Sequence, residues 1–206
     1  MEVGILALQG DFQEHFRAIS EIGARPKLIR RPEDLPGVSG LVLPGGESTT
    51  LGMLLDSSEL REPIGKLLTS GLPVFGTCAG MILLARSVSD GRPDQQTFGT
   101  LDIDVRRNGF GRQRQSFECD LEVTGLDEKL HAVFIRAPMV ERVGPAVVVL
   151  SEVATGSSDH LIPSEPATTP VLVRQDQVLA AAFHPELTAD RRLHRIFLEM
   201  IEEKGR

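Results

Sequence analysis

The sequence predicts an α/β fold: a single three-layer domain with a mostly parallel central sheet flanked by helices, plus some antiparallel strands. Three observations carry this. Short apolar runs recur without polar interruption, as strands buried on both faces require. Helical periodicity separates these runs between residues 3 and 85, the alternation that builds a parallel sheet through helical crossovers. Beyond residue 115 a run alternates polar and apolar instead, which marks a strand with one wet face.

Residues 3–8 form the first apolar run and stop at Gly10. Asp11 can cap a following helix that puts Phe12, Phe16, Ile19 and Gly23 on one side. Residues 27–29 and 40–43 read as the second and third strands, the third ending at Pro44-Gly45-Gly46. Helical stretches follow around residues 50–55 and 63–68. A fourth strand, residues 72–75, runs into Gly76-Thr77-Cys78-Ala79-Gly80 and an apolar helix over 81–85. Residues 116–123 are the half-wet strand. Residues 133–137, 146–150, 171–174 and 178–183 read as further strands, some antiparallel. The last helix, 190–204, gathers Leu193, Ile196, Phe197, Met200 and Ile201 on one face. The Ser/Thr/Pro-rich stretch 155–170 reads as a surface loop. No repeat or linker interrupts the chain, so residues 1–206 read as one domain.

Composition narrows the function. The chain carries 22 basic and 29 acidic side chains, a net charge of −7, which disfavours non-specific nucleic-acid binding. Trp and Tyr are absent, so base stacking and aromatic cages are disfavoured too. Two cysteines make neither a disulfide framework nor a zinc site. The N-terminus has no basic region or cleavage signal, and no window reaches the roughly 18 apolar residues of a membrane span. A cytoplasmic protein is expected.

Cys78 lies in Gly-x-Cys-x-Gly where a strand turns into a helix. This is the thiol version of the sharp turn that lifts a nucleophile above the sheet in α/β hydrolases. The helix beginning at Ala79 would point amides and its positive end at the sulfur, favouring thiolate. The competing reading is a buried structural cysteine. Cys119 shares an apolar strand face with Phe117, Leu121 and Val123 and reads as core.

A thiol nucleophile needs a base, and the base an orienting group. His184 ends the apolar run 178–183, where α/β sites assemble, and Glu186 two residues on can hold one ring nitrogen. Taken alone, His-Pro-Glu is equally an ordinary turn. His15 and His194 lie on helices, where a solvated or half-buried ring is the default. His131 and His160 lie in or beside loops, with no carboxylate placed as Glu186 is. Acyl chemistry also needs an oxyanion hole. Ala79 offers one amide, and the turn Pro44-Gly45-Gly46-Glu47-Ser48 a second; a phosphate cradle there would lack the P-loop Lys-Ser/Thr pair. The arginines between residues 106 and 114 read as a solvated loop or a binding loop. Arg136, at a strand end, suits a carboxylate ligand.

In this order the pieces resemble the class I, triad-type glutamine amidotransferase family. Six blocks carry a resemblance to one branch of it, the glutaminase subunits of pyridoxal 5'-phosphate synthases. They are Leu8-Gln9-Gly10, Leu43-Pro44-Gly45-Gly46-Glu47-Ser48-Thr49-Thr50, Phe75-Gly76-Thr77-Cys78-Ala79-Gly80, Arg107-Asn108-Gly109-Phe110-Gly111-Arg112-Gln113, Phe134-Ile135-Arg136-Ala137-Pro138 and Phe183-His184-Pro185-Glu186-Leu187-Thr188.

The resemblance implies hydrolysis of L-glutamine to L-glutamate and ammonia. Cys78 would attack, His184 relay protons and Glu186 orient it, through a thioester. Amides of Gly46 and Ala79 would hold the oxyanion. Gly46, Glu47, Ser48, Arg107, Ile135 and Arg136 match the family's glutamine-binding positions. It implies a partner synthase (lyase) subunit that receives the ammonia and is needed for full activity. It implies neither a metal nor a bound cofactor on this chain. The segment 155–170 is longer than expected for the family. The alternatives are a glutaminase serving another synthase, such as the histidine-pathway one, or a non-glutaminase cysteine hydrolase of the same fold.

Overall fold

The computed structural model describes residues 1–91, 95–110, 116–154 and 168–205. Strand β1 (Glu2–Leu6) leads into α1 (Phe12–Glu21) and returns as β2 (Arg25–Ile29). Then come β3 (Gly40–Leu43), α2 (Ser48–Ser57), α3 (Arg61–Thr69), β4 (Val74–Thr77) and α4 (Ala79–Leu84). A β-rich stretch follows: β5 (Ala85–Val88), β6 (Leu101–Arg106), β7 (Ser116–Leu121), β8 (Leu130–Ile135) and β9 (Met139–Val143). The chain continues through β10 (Val148–Ala154), β11 (Thr168–Gln175) and β12 (Val178–Ala181), and α5 (Arg192–Lys204) is the last helix.

Seven strands form the central sheet in the order β10-β11-β12-β4-β3-β1-β2. The pairs from β12 to β2 are parallel, while β10-β11 and β11-β12 are antiparallel. The inner strands β3, β4 and β12 are buried at every residue, which is why they read as unbroken apolar runs. Chain order reverses around β1, whose crossovers lead to β2 on one side and towards β3 on the other. Ligands of open α/β sheets bind at the carboxyl ends of strands near such a reversal.

The two faces are covered by different helices. Phe75 of β4 contacts the rings of His194 and Phe197 on α5 and of His15 on α1, so α1 and α5 share a face. Successive strand residues point to opposite faces. Gly76 accordingly meets α4, where a Cβ would lie 2.6 Å from Leu84 Cδ1. A Cβ on Gly80 would come within 2.0 Å of the Leu43 carbonyl oxygen, so α4 rests directly on the backbone of β3. Outside the central sheet lie two smaller ones: β5-β6-β9, in which β5-β6 is parallel and β6-β9 antiparallel, and the antiparallel pair β7-β8.

Several expectations are corrected. The buried face of α1 is His15, Ala18 and Ile19, and Phe12 and Phe16 are only partly buried. Asp11 stands at the N-cap of α1 but makes no side-chain cap. Strands β5, β6 and β9 lie where no element was expected. The signal for β6 was present: Leu101-Asp102-Ile103-Asp104-Val105-Arg106 alternates strictly, and its burial follows that period. Cys119 is half-buried against the core and not within it, although it does share its face with Phe117 and Leu121. The long segment falls largely at residues 155–167, outside the described residues, as do His160, Arg112 and Arg114.

Gly80→Ala places its methyl against a backbone carbonyl that no side-chain rotation can relieve. A loss of about 1–3 kcal/mol is expected, the range for overpacked cores, read from the urea midpoint. An unchanged midpoint would mean that α4 can lift from β3 at no cost.

Candidate active site

Four strand ends converge at one edge of the sheet. The chain leaves β1 through Gln9-Gly10-Asp11, β3 through Gly45-Gly46-Glu47, β4 at Cys78 and β12 at His184. These segments line a cavity of about 330 Å³, joined by Arg107, Ile135 and Arg136 from the smaller sheets.

Cys78 has φ 48° and ψ −101°, a left-handed conformation that costs a non-glycine residue about 1–3 kcal/mol. Its N–H donates to the Ala181 carbonyl at 2.8 Å, and its own carbonyl accepts from Ile82 at 3.3 Å in the first turn of α4. The strained residue is thus held between β12 and the helix. Sγ lies 3.9 Å from the Ile135 carbonyl oxygen. Ala79 opens α4, a position whose N–H has no partner within its own helix.

His184 is buried, and its N–H donates to the Val133 carbonyl of β8 at 2.9 Å. The preceding Phe183 packs on Phe134 of β8, with ring centroids 5.4 Å apart. These contacts explain how Ile135, the last residue of β8, and Arg136, just past it, reach the cavity. Gly45 is needed beside this ring, because a Cβ there would lie 2.3 Å from His184 Cε1.

The ring's Nδ1–H donates to Glu186 Oε1 at 2.8 Å and lies 3.4 Å from Asp11 Oδ2. Burial alone would lower the pKa of this imidazole. Hydrogen bonds with Asp11, Cys78 and Glu186, together with the sulfur's charge, outweigh it and push the value up to about 12. The arrangement therefore favours an imidazolium beside the Cys78 sulfur. Burial raises the pKa of Glu186, against the lowering effect of His184. Asp11, His184 and Glu186 also form a cluster with one candidate ligand atom each within 4.8 Å of the others. A shared N–H on Nδ1 accounts for both contacts of that nitrogen without an ion.

The opposite wall is a polar cluster. Glu47 caps α2, accepting from the N–H groups of Thr49 at 3.2 Å and Thr50 at 2.7 Å. Arg107 donates to Glu47 Oε1 at 2.8 Å, Thr49 Oγ1 at 2.9 Å and Gln95 Oε1 at 3.3 Å. Desolvation would raise the pKa of Glu47, but the Thr50 and Thr49 hydrogen bonds and the Arg107 charge bring it below the ordinary value. Ser48 is buried and accepts from Gln95 at 3.1 Å. Gly46 has φ +154°, and the next amide, Glu47 N–H, is taken by Gln9 Oε1 at 2.9 Å. Arg136 is exposed, has φ 45°, and makes no hydrogen bond or ion pair with the described residues.

Every expected site residue except Ala79 lines the cavity or, as Glu186, stands directly behind it; Ala79 adjoins Cys78. Gln9, Gly10, Asp11, Ile82 and Asn108 also line the cavity without having been expected there, and Gln95 joins Ser48 and Arg107 beside it. Asp11 had a visible signal, an acid directly after the first strand, but was read as a cap. His15 and His194, expected to be solvated or half-buried, are fully buried. His131, for which no carboxylate placed as Glu186 is was expected, bonds Asp120 and Glu118 of the paired strand, each at 2.9 Å, on an exposed hairpin away from the cavity. These acids raise its pKa, against a small opposing effect of burial.

The model of the SNO glutamine amidotransferase family matches residues 5–203, and the chain belongs to that family. Among individual proteins it is similar to the "Pyridoxal 5'-phosphate synthase subunit PdxT" of Frankia alni. The two are 55% identical over 204 residues, covering 98% of this chain and 96% of that protein. The protein of the same name from Frankia casuarinae is 56% identical over the same shares of both chains. A solved structure titled "Crystal structure of glutamine amidotransferase" aligns with a TM-score of 0.86 at 47% identity, covering 97% of this chain and 98% of that one. No helix among the described residues is long and apolar enough to cross a membrane.

Burial sets a pH response that needs no substrate. Burial lowers the pKa of His194 to about 4 and, with the charges of His194, His184 and Arg191, takes His15 well below 6.5. Both bind protons more readily when unfolded, so the penalty is absent above the unfolded value and grows as pH falls towards 4. For His194 it reaches about 3 kcal/mol. Denaturant curves between pH 6.5 and 4 are expected to lose stability more steeply for the wild type than for His194→Gln. Parallel slopes would mean that His194 titrates in the folded chain.

Proposed function

We propose that this chain is the glutaminase subunit of a pyridoxal 5'-phosphate synthase. It hydrolyses L-glutamine to L-glutamate and passes the ammonia to a synthase (lyase) subunit. One observation carries the reading: near-full-length identity above 50% to proteins bearing that subunit's name, in a chain with the Cys78–His184–Glu186 row at one cavity. A glutaminase for another synthase, such as the histidine-pathway one, is not favoured by relatives of that identity. Residues 1–206 act as one domain, and both cysteines are free, which suits a cytoplasmic location.

The chemistry follows from the geometry. The Cys78 thiolate attacks the side-chain amide carbon of glutamine, forming a C–S bond and moving the carbonyl electrons onto oxygen. Amides of Gly46 and Ala79 receive that oxyanion. His184 gives its proton to the amide nitrogen as the C–N bond breaks, and ammonia leaves. Water then attacks the thioester, His184 accepts its proton, and glutamate departs with Cys78 restored. Glu186 keeps Nδ1 protonated so that the other ring nitrogen faces sulfur. Gly46, Glu47, Ser48, Arg107, Ile135 and Arg136 hold the substrate. Arg107 is already engaged by Glu47, so Arg136 is the cation available for the substrate carboxylate.

Ammonia release is expected to be strongly stimulated by the pyridoxal 5'-phosphate synthase partner, abolished in Cys78→Ala and largely retained in Cys119→Ser. Stimulation by a histidine-pathway partner alone would redirect the assignment. Labelling of Cys78 without glutamine turnover would point to a different cysteine hydrolase. Arg136→Ala is expected to raise KM about tenfold or more with kcat little changed, the pattern of lost ground-state binding. An unchanged KM would remove Arg136 from the substrate.

A further inference from the structure

Behind Glu186 the structure holds two imidazoles that the reaction does not use. His15 of α1 and His194 of α5 are fully buried, edge-on to Phe75. His15 Nδ1 lies 3.1 Å from His194 Nε2. His15 Nε2 lies 3.1 Å from Thr77 Oγ1, on the residue before Cys78, and 3.3 Å from Glu186 Oε2. The 3.3 Å approach is an ion-pair contact only: neither that carboxylate oxygen nor His194 Nδ1 has a hydrogen-bond partner among the described residues.

With Glu186 ionised, one arrangement of protons suits these atoms. An ionised Glu186 needs a donor on each oxygen, and His184 supplies one to Oε1. The N–H poised to supply Oε2 is that of His15 Nε2, which hydrogen-bonds Thr77 Oγ1 and lies 3.3 Å from the carboxylate oxygen. A neutral His15 then has a bare Nδ1, which accepts from His194 Nε2–H. The atom left over is His194 Nδ1, a lone pair and not a buried N–H. The opposite tautomers would set His15's lone pair against a carboxylate oxygen and leave a buried N–H unpaired.

We propose that His15 and His194 are positioning residues, a two-imidazole chain that presents an N–H to the second oxygen of Glu186 and thereby locks that carboxylate against His184. The proposal rests on the glutaminase reading for its consequence in catalysis, though its proton pattern does not. The surroundings favour neutral rings. Glu186 faces His184, His15 and Asp11. His15 also faces His184 and Arg191, and His194 faces Arg191 with Glu21 and Asp190.

Two measurements test it. Long-range 1H–15N spectra of the labelled wild-type chain at pH 7.5 are expected to show His15 and His194 neutral and protonated on Nε2. A proton on His15 Nδ1, or a charged His15, overturns the proposal whatever the activity. Glutamine turnover is then measured with the synthase subunit for His15→Phe and His15→Gln. The Phe variant is expected to lose kcat about ten- to hundredfold, with KM within about twofold and the acid limb of the kcat profile moved to higher pH. Gln, whose amide N–H can reach Oε2, is expected to recover part of the rate and of the shift. Equal losses in both variants with an unmoved acid limb mark a packing role and overturn the proposal. If the wild type with its partner releases no ammonia, the functional reading fails, while the tautomers still decide this one.

Discussion

The contact between Gly80 and the Leu43 carbonyl fixes how closely α4 approaches the sheet, and the site depends on that approach. Because α4 starts directly against β3, the chain has no spare residue in which to turn out of β4. The whole reversal falls on Cys78, which adopts a left-handed backbone and is pinned through its N–H to Ala181. The strain thus has a cause in packing on both sides, and its effect is to set the sulfur above the sheet edge beside β12.

Charge is the second constraint. A carboxylate as deeply buried as Glu186 would ordinarily take up a proton. It stands instead between an imidazole in front and another behind, with half-exposed Asp11 adding a second acid to His184. The same carboxylate that bonds His184 has its other oxygen 3.3 Å from His15 Nε2. On the far wall Glu47 and Arg107 neutralise each other. Buried ionic groups are tolerable only when so paired.

Much of this was legible in the sequence. Strands β1, β3, β4, β11 and β12 are runs that only a two-sided burial explains, and Gly-x-Cys-x-Gly with His-Pro-Glu located the central row. What escaped shares one physical cause. His15 and His194 sit among apolar neighbours on helices, and nothing in a helical pattern tells a polar residue facing solvent from one facing a buried carboxylate across the chain. Asp11 is hidden for a similar reason: an acid before a helix is usually a cap, and here a histidine from the other end of the chain competes for it. Strand β6 was legible by its alternation, whereas β5 follows α4 without a break and offers no punctuation to find.

The position of β12 bears on how the chain comes to life. This strand enters between β4 and β11, closing the middle of the sheet from a part of the chain made almost last. Until it docks, Cys78 lacks both the carbonyl that restrains its backbone and the imidazole that stands beside its sulfur. A nascent chain on the ribosome therefore carries Cys78 without that partner, and the Cys78–His184 pair arises only in a molecule whose sheet is complete.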